Sequence, residues 1–384
     1  MSPACRVRRL IRVAGVALVL AALGGCARTP QPVHYFAEGR PEHLSDWHVV
    51  FRDGERLALN ERVVPYDLNT PLFSDYAHKL RTLYLPRGTP ARYDGSRTFD
   101  FPVGTIITKT FYYPQGGGTA TSVARTYDQS RDFAGEGLDL ASVRLIETRI
   151  LVRRAQGWEA LPYVWNAAQT DAVLARTGDE VALELVDQDG TREAFTYVVP
   201  NENQCAGCHV TDLKSKAIAP IGLKARHLNR DYAYAGGAEN ELAHLEKLGY
   251  LTGLPAPAEV PRNANWRDTR EPLEARARAY LDVNCGHCHS PTGPADTTAL
   301  SFDVGSPVDR HLGLCKPPVA AGRGTGDHLF DIVPGHPDDS ILPFRMASRE
   351  PGVMMPEQGR GTVHREGLEL IREWIAALPG ECGV

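Results

Sequence analysis

The chain has 384 residues, 42% hydrophobic and 23% charged, with a formal net charge of -5. That length supports two or three folded bodies. The acidic balance, with no Lys/Arg cluster beyond the first residues, speaks against nucleic acid as a partner.

Arg6, Arg8, Arg9 and Arg12 precede an apolar run over residues 13–23, too short to span a bilayer and suited to the core of an export signal. Its removal would take the formal charge from -5 to -9. The run ends in Leu23-Gly24-Gly25-Cys26, which resembles a bacterial lipobox. Residues 1–25 therefore read as a lipoprotein signal, with an ordinary signal peptide as the alternative, and Cys26 reads as the lipidated first residue of the mature chain. Ala27 resembles the outer-membrane sorting type, so the expected location is the periplasmic face of a bacterial membrane, the outer membrane, with lipid as the only membrane contact. Residues 26–45 are Pro-rich and polar, as a tether would be.

Residues 46–200 carry a two-residue period. Ile106, Thr108 and Thr110 alternate with Ile107, Lys109 and Phe111, and Ile146, Thr148, Ile150 and Val152 alternate with Glu147, Arg149 and Arg153. Val181, Leu183 and Leu185 repeat the pattern, and Asp189-Gly190 reads as a hairpin turn into Phe195, Tyr197 and Val199. An all-β, sandwich-like domain is predicted, with Trp158, Tyr163 and Trp165 in its core. Residues 201–262 follow as a first motif segment and linker, in which Asn240 can cap a helix to Lys247 and three prolines occupy residues 254–261. Over residues 263–384 the pattern turns α. Pro272 suits a helix first turn, with Leu273, Ala277, Tyr280 and Leu281 on one face; Thr362 can cap a last helix bearing Gly367, Leu370, Ile371, Trp374 and Leu378. Gly322, Gly324 and Gly326 lack the strand and helix of a dinucleotide site and read as a loop.

Two copies of one pattern carry the chemistry: Cys205-Ala206-Gly207-Cys208-His209 and Cys285-Gly286-His287-Cys288-His289. Two thiols on one tight turn can add to the two vinyl groups of a haem while the next His reaches its iron. Redox dithiols, structural bridges and one zinc shared by four Cys and two His are the competing readings; zinc leaves unexplained a His at the same next position in both copies, and the spacing is short for a purely structural bridge. Two covalently attached c-type haems are therefore predicted, with His209 and His289 as proximal iron ligands. His287 reads as a surface residue, and His227 and His244 are the nearest downstream candidates for the other axial position of the first iron. Beyond the signal, Met346, Met354 and Met355 are the methionines. Met355-Pro356, 66 residues past His289, resembles the ligand loop of class I cytochromes, with Met354 as fallback and Met346 as core. His289/Met355 ligation would give a comparatively high potential. Cys315 and Cys382 remain and suggest a disulfide in an oxidising compartment, worth about 3 to 4 kcal/mol for its loop, with free thiols as the alternative.

A helix leading into a haem motif, a Met-Pro loop and a terminal helix resemble the class I cytochrome c fold over residues 268–384. The expected class is thus α+β and multidomain, an N-terminal all-β domain followed by an all-α cytochrome c-like domain. The whole chain also resembles a family of bacterial dihaem c-type cytochromes. The resemblance rests on YDLNTPLFSDYA at residues 66–77, FPVGTIITKTFY at 101–112, YVWNAAQTDA at 163–172, AIAPIGLKARHLNRDY at 217–232, CKPPVAAGRGTG at 315–326 and MMPEQGR at 354–360. It implies a dihaem electron carrier with an unidentified redox partner protein. Members are often encoded beside a parallel β-helix repeat protein, a candidate partner. Extracytoplasmic electron transfer is the expected function, with no catalytic residue assigned. A peroxidase-like enzyme using a five-coordinate first haem and a partner-binding module with accessory haems are the alternatives.

Overall fold

In a computed structural model, which describes residues 30–319 and 321–383, a six-stranded antiparallel meander forms the centre of the molecule. Its strands are β1 (Val64–Tyr66), β2 (His78–Tyr84), β3 (Ile106–Pro114), β4 (Val143–Arg154), β5 (Gly157–Trp165) and β6 (Ala172–Leu174), each bonded to the next in chain order. The export signal and Cys26 lie outside the described residues. Ile150 pairs with Thr108 on one side and Leu161 on the other, which sets the register of the three long strands. A one-residue slip would turn every side chain to the wrong face.

Both faces of the meander are covered. Ile150 and Val152 pack with Trp47, Leu57, Ile106, Tyr112 and Leu161 on one side. Leu151 and Ile107 pack on the other with Tyr66, Leu223, Leu228 and Leu245. The hairpin β7 (Asp179–Val186) and β8 (Arg192–Val199) adds Leu183, Leu185, Phe195 and Tyr197 against Phe111, Tyr113 and Ile146. The stretch read as a tether to residue 45 is not free along its length. From Val33 onward it packs on the sheet, with Val33, Tyr35 and Phe36 against the Trp47 core, because those side chains bring enough apolar area to be worth burying.

The expected all-α cytochrome c-like domain is a correction. Among the described residues strands outweigh helices, and the six α-helices are short. These are α1 (Glu202–His209), α2 (Ala225–Leu228), α3 (Glu241–Lys247), α4 (Leu273–Asn284), α5 (Ile341–Ala347) and α6 (Arg365–Ala377). The helical periods of α4 and α6 are real, and Ala277, Tyr280 and Leu281 share a core with Leu370, Ile371 and Trp374. Between Cys285 and Ser340, however, Pro and Gly recur too often for a helix, and the chain runs in turns and single 3-10 turns. A disulfide joins Cys315 to Cys382 across this region.

Val33–Val384 form one compact unit. The loop before β2 ties its parts together. Buried Asp75 accepts hydrogen bonds from Gly361 N, Thr362 N and Thr362 Oγ1 at 2.7–2.8 Å, Thr70 Oγ1 donates to Ala264 O, and Phe73 N donates to Asn284 Oδ1. Thr362, read as a helix cap, is used here instead, and α6 begins after His364. Asp75→Ala strands the buried N–H groups of this junction. Hydrogen bonds to a carboxylate contribute about 1.5–3 kcal/mol each, so a loss of about 3 kcal/mol or more is expected in a denaturant titration. A change below ~0.5 kcal/mol would contradict the role given to Asp75.

Candidate functional site

The first motif is itself a helix. Asn201 Oδ1 accepts from Gln204 N and Gln204 Oε1 accepts from Asn201 N, a capping box that starts α1 one turn before Cys205. Cys205 and Cys208 then fall on adjacent turns as free thiols. Residues 210–219 fold back beneath them, where Ala219 N donates to His209 O and His209 Nδ1 lies 2.8 Å from Ala219 O. A carbonyl can only accept, so Nδ1 carries the proton and Nε2 keeps its lone pair. Burial, with Lys109 nearby, pushes the His209 pKa down to about 3, so the ring is neutral.

The second motif continues α4. Cys288 N and His289 N both donate to Cys285 O, which closes the turn on which the thiols sit. A Cβ at Gly293 would lie 2.3 Å from Cys288 O, so only glycine lets the following loop close over the motif. His289 Nδ1 is 3.2 Å from Thr298 Oγ1, whose own proton goes to Ala295 O at 2.7 Å. The hydroxyl must therefore accept, and His289, like His209, has its Nε2 lone pair free. Burial holds its pKa at about 4. Such outer hydrogen bonds fix the tautomer and orientation of metal-ligating imidazoles.

Each motif opens into a cavity of its own. Cys205, Cys208 and His209 line one of about 320 Å³, and Cys285, Cys288 and His289 line one of about 590 Å³, both within the ~300–1,000 Å³ range of cofactor sites. The cavities adjoin: Phe73, Cys208, Asn284 and His287 border both, and Cys288 Sγ lies 3.9 Å from Gly207 O. Met354 lines the first and Met355 the second, a division that follows from their adjacency on one strand of loop. Met346 is buried in the α4–α6 core and also borders the second cavity.

Burial raises all four thiol pKa values, and carries Cys285 and Cys288 to about 12. Reactive dithiols need the opposite shift. Among the described residues no three or more His, Cys, Asp or Glu gather as a protein-only metal centre would require. Two neutral thiols and one neutral imidazole in each motif instead suit a macrocycle that brings its own equatorial nitrogens and needs only axial ligands and thioether anchors.

Several side chains lie elsewhere than the sequence suggested. His287, read as a surface residue, is 7% exposed and borders both cavities. His227 is buried 3.6 Å from Asp282, and His244 stacks on Tyr234 and bonds to Glu239; neither borders a cavity. His364 went unnoticed in the sequence. It lines the second cavity with its ring nitrogens 2.7 and 2.8 Å from the hydroxyls of Tyr127 and Tyr280.

Burial holds His227 and His364 near pKa 3, far below the ordinary value of 6.5. Between those limits the unfolded chain takes up protons that the folded one refuses, so stability is complete above pH 6.5 and falls as the pH drops toward 3. Denaturant midpoints measured across this window should decline, and His227→Gln should flatten the decline; an unchanged slope would contradict the buried neutral ring.

No family model, curated protein or solved structure matches this chain. Among the described residues no helix is long and apolar enough to cross a membrane.

Proposed function

We propose that this chain is an extracytoplasmic electron carrier with two covalently attached c-type haems, held to the periplasmic face of a bacterial membrane by lipid on Cys26. The observation that carries the proposal is the repeated geometry: two free thiols and a neutral imidazole with Nδ1 tied and Nε2 free, once in each of two adjoining cavities. Haem iron held in this way supplies one-electron exchange.

Cys205 and Cys208 would anchor the first group and Cys285 and Cys288 the second, by thioether bonds. His209 and His289 would each give Nε2 to an iron, oriented by Ala219 O and Thr298 Oγ1. Met355, whose N–H is anchored on Arg345 O, would give a thioether in the second cavity and favour the ferrous state there. Phe73, Asn284 and His287 form the partition, so the two centres would share a wall and exchange electrons through it. An unidentified redox protein would be the partner, and the sequence resemblance nominates a parallel β-helix repeat protein. A spectroelectrochemical titration of the exported protein tests the assignment. Two one-electron waves of unequal potential are expected; absence of any haem wave would overturn it.

A further inference from the structure

The first cavity is walled on one side by the central sheet, and the sheet presents cations there. Strand register places Arg81 (β2), Lys109 (β3) and Arg149 (β4) directly opposite one another in one row, and Lys79, Phe111 and Glu147 in the next. All four basic residues border the cavity. Like charges directly opposed on neighbouring strands destabilise a sheet, and more so where water is scarce. Two members of the group have acidic partners: Arg81 pairs with Asp67, and Arg149 with Glu147 at 2.5 and 2.8 Å. Among the described residues the lysines have none. Lys79 Nζ donates to the carbonyls of Leu72 and Ala77, and Lys109 Nζ lies over the Phe111 ring at 5.0 Å. Burial and the neighbouring guanidiniums push Lys109 down to about 7, a sign of how poorly its charge is compensated.

A fold does not gain by lining a cavity with two ammonium groups that lack counter-charges, so the missing charge belongs to the cavity's occupant. We infer that the Arg81-Lys109-Arg149 row, with Lys79, is a carboxylate-binding site for a dianionic ligand, and that its occupant is the pair of propionate groups of the first haem. The inference rests on the dihaem proposal above and deepens it by assigning the sheet as the electrostatic wall of the first centre. Two unmatched lysines answer two carboxylates, and the guanidiniums can share the same oxygens in a bidentate manner. In the second cavity Lys316 is paired with Asp331 at 3.2 Å, and Arg345 and Arg360 donate to backbone carbonyls, Arg360 bordering both cavities. The Arg81-Lys109-Arg149 row with Lys79 borders the first cavity and not the second, so it should act on the first centre.

The test uses the haem-loaded, full-length protein carrying Lys109→Met or Lys109→Arg. A cation beside a haem disfavours its ferric form, so Lys109→Met should shift the first centre toward the oxidised state by about tenfold, or ~59 mV for one electron. Lys109→Arg should restore the native potential, and the second centre should not move. Two covalent haems with an unmoved first potential in Lys109→Met would overturn this inference and leave the dihaem proposal standing; absence of covalent haem would overturn both. Lys79→Met gives an independent shift in the same direction if Lys109→Met does not accumulate. Added phosphate or a soluble dicarboxylate should leave the native potential unchanged. A saturable shift that Lys109→Met abolishes would mean that the row holds a free anion, which overturns the assignment to the haem's own carboxylates.

Discussion

A chain in which Cys205 and Cys208 are both serine should mature with one covalently bound haem in place of two. A thioether needs the sulfur, and serine at both positions leaves the first cavity with no covalent anchor for a cofactor. The second motif should be unaffected, because its turn is closed by its own bonds from Cys288 N and His289 N to Cys285 O. The mass of the denatured protein reads the result directly. The reciprocal pair, Cys285→Ser with Cys288→Ser, should also leave one haem, and the two variants together assign each spectral and redox signal to a cavity. Two haems retained in either variant would contradict the proposed attachment.

Replacing Met355 by Leu should lower the potential of the second centre by about 0.1 V or more, within the ~0.8 V range that axial ligands span. The spectral signature of sulfur bound to ferric haem should disappear with it. Leu preserves the volume, so packing changes little and the lost thioether dominates. Met346→Leu is the control. That side chain borders the same cavity but packs in the core with Trp374 and Ile371, and its replacement should leave the sulfur signature in place. Loss of the signature in Met346→Leu, and its retention in Met355→Leu, would exchange the two roles.

The strands around residues 106–154 and 179–199 could be read from alternation, and the hairpin turn from Asp189-Gly190. The two motifs and the α4 and α6 faces were equally plain. What a two-residue period cannot give is the covering of each face. Glu147 and Arg149 look like a solvent face in sequence, yet Glu147 is fully buried and Arg149 lines a cavity that residues 200–223 and 283–287 also border. The burial of His287 was hidden for the same reason. Its neighbours in the first motif lie about 80 residues away, and a motif read alone says nothing of what packs on it. The cytochrome c-like domain failed on the stretch between its helices. Order of motifs suggested a fold, while the Pro and Gly content of residues 290–340 already forbade the helices that fold needs. Thr362 met the local rule for a cap, but the buried Asp75 carboxylate offers its N–H and hydroxyl better partners.

The measurement that tests the central claim most directly is the number of haems that remain bound to the exported native chain after denaturation and acid extraction. Two per chain, with Cys205, Cys208, Cys285 and Cys288 all blocked to thiol reagents, is the result expected from the two cavities. No retained haem and four reactive thiols would contradict it.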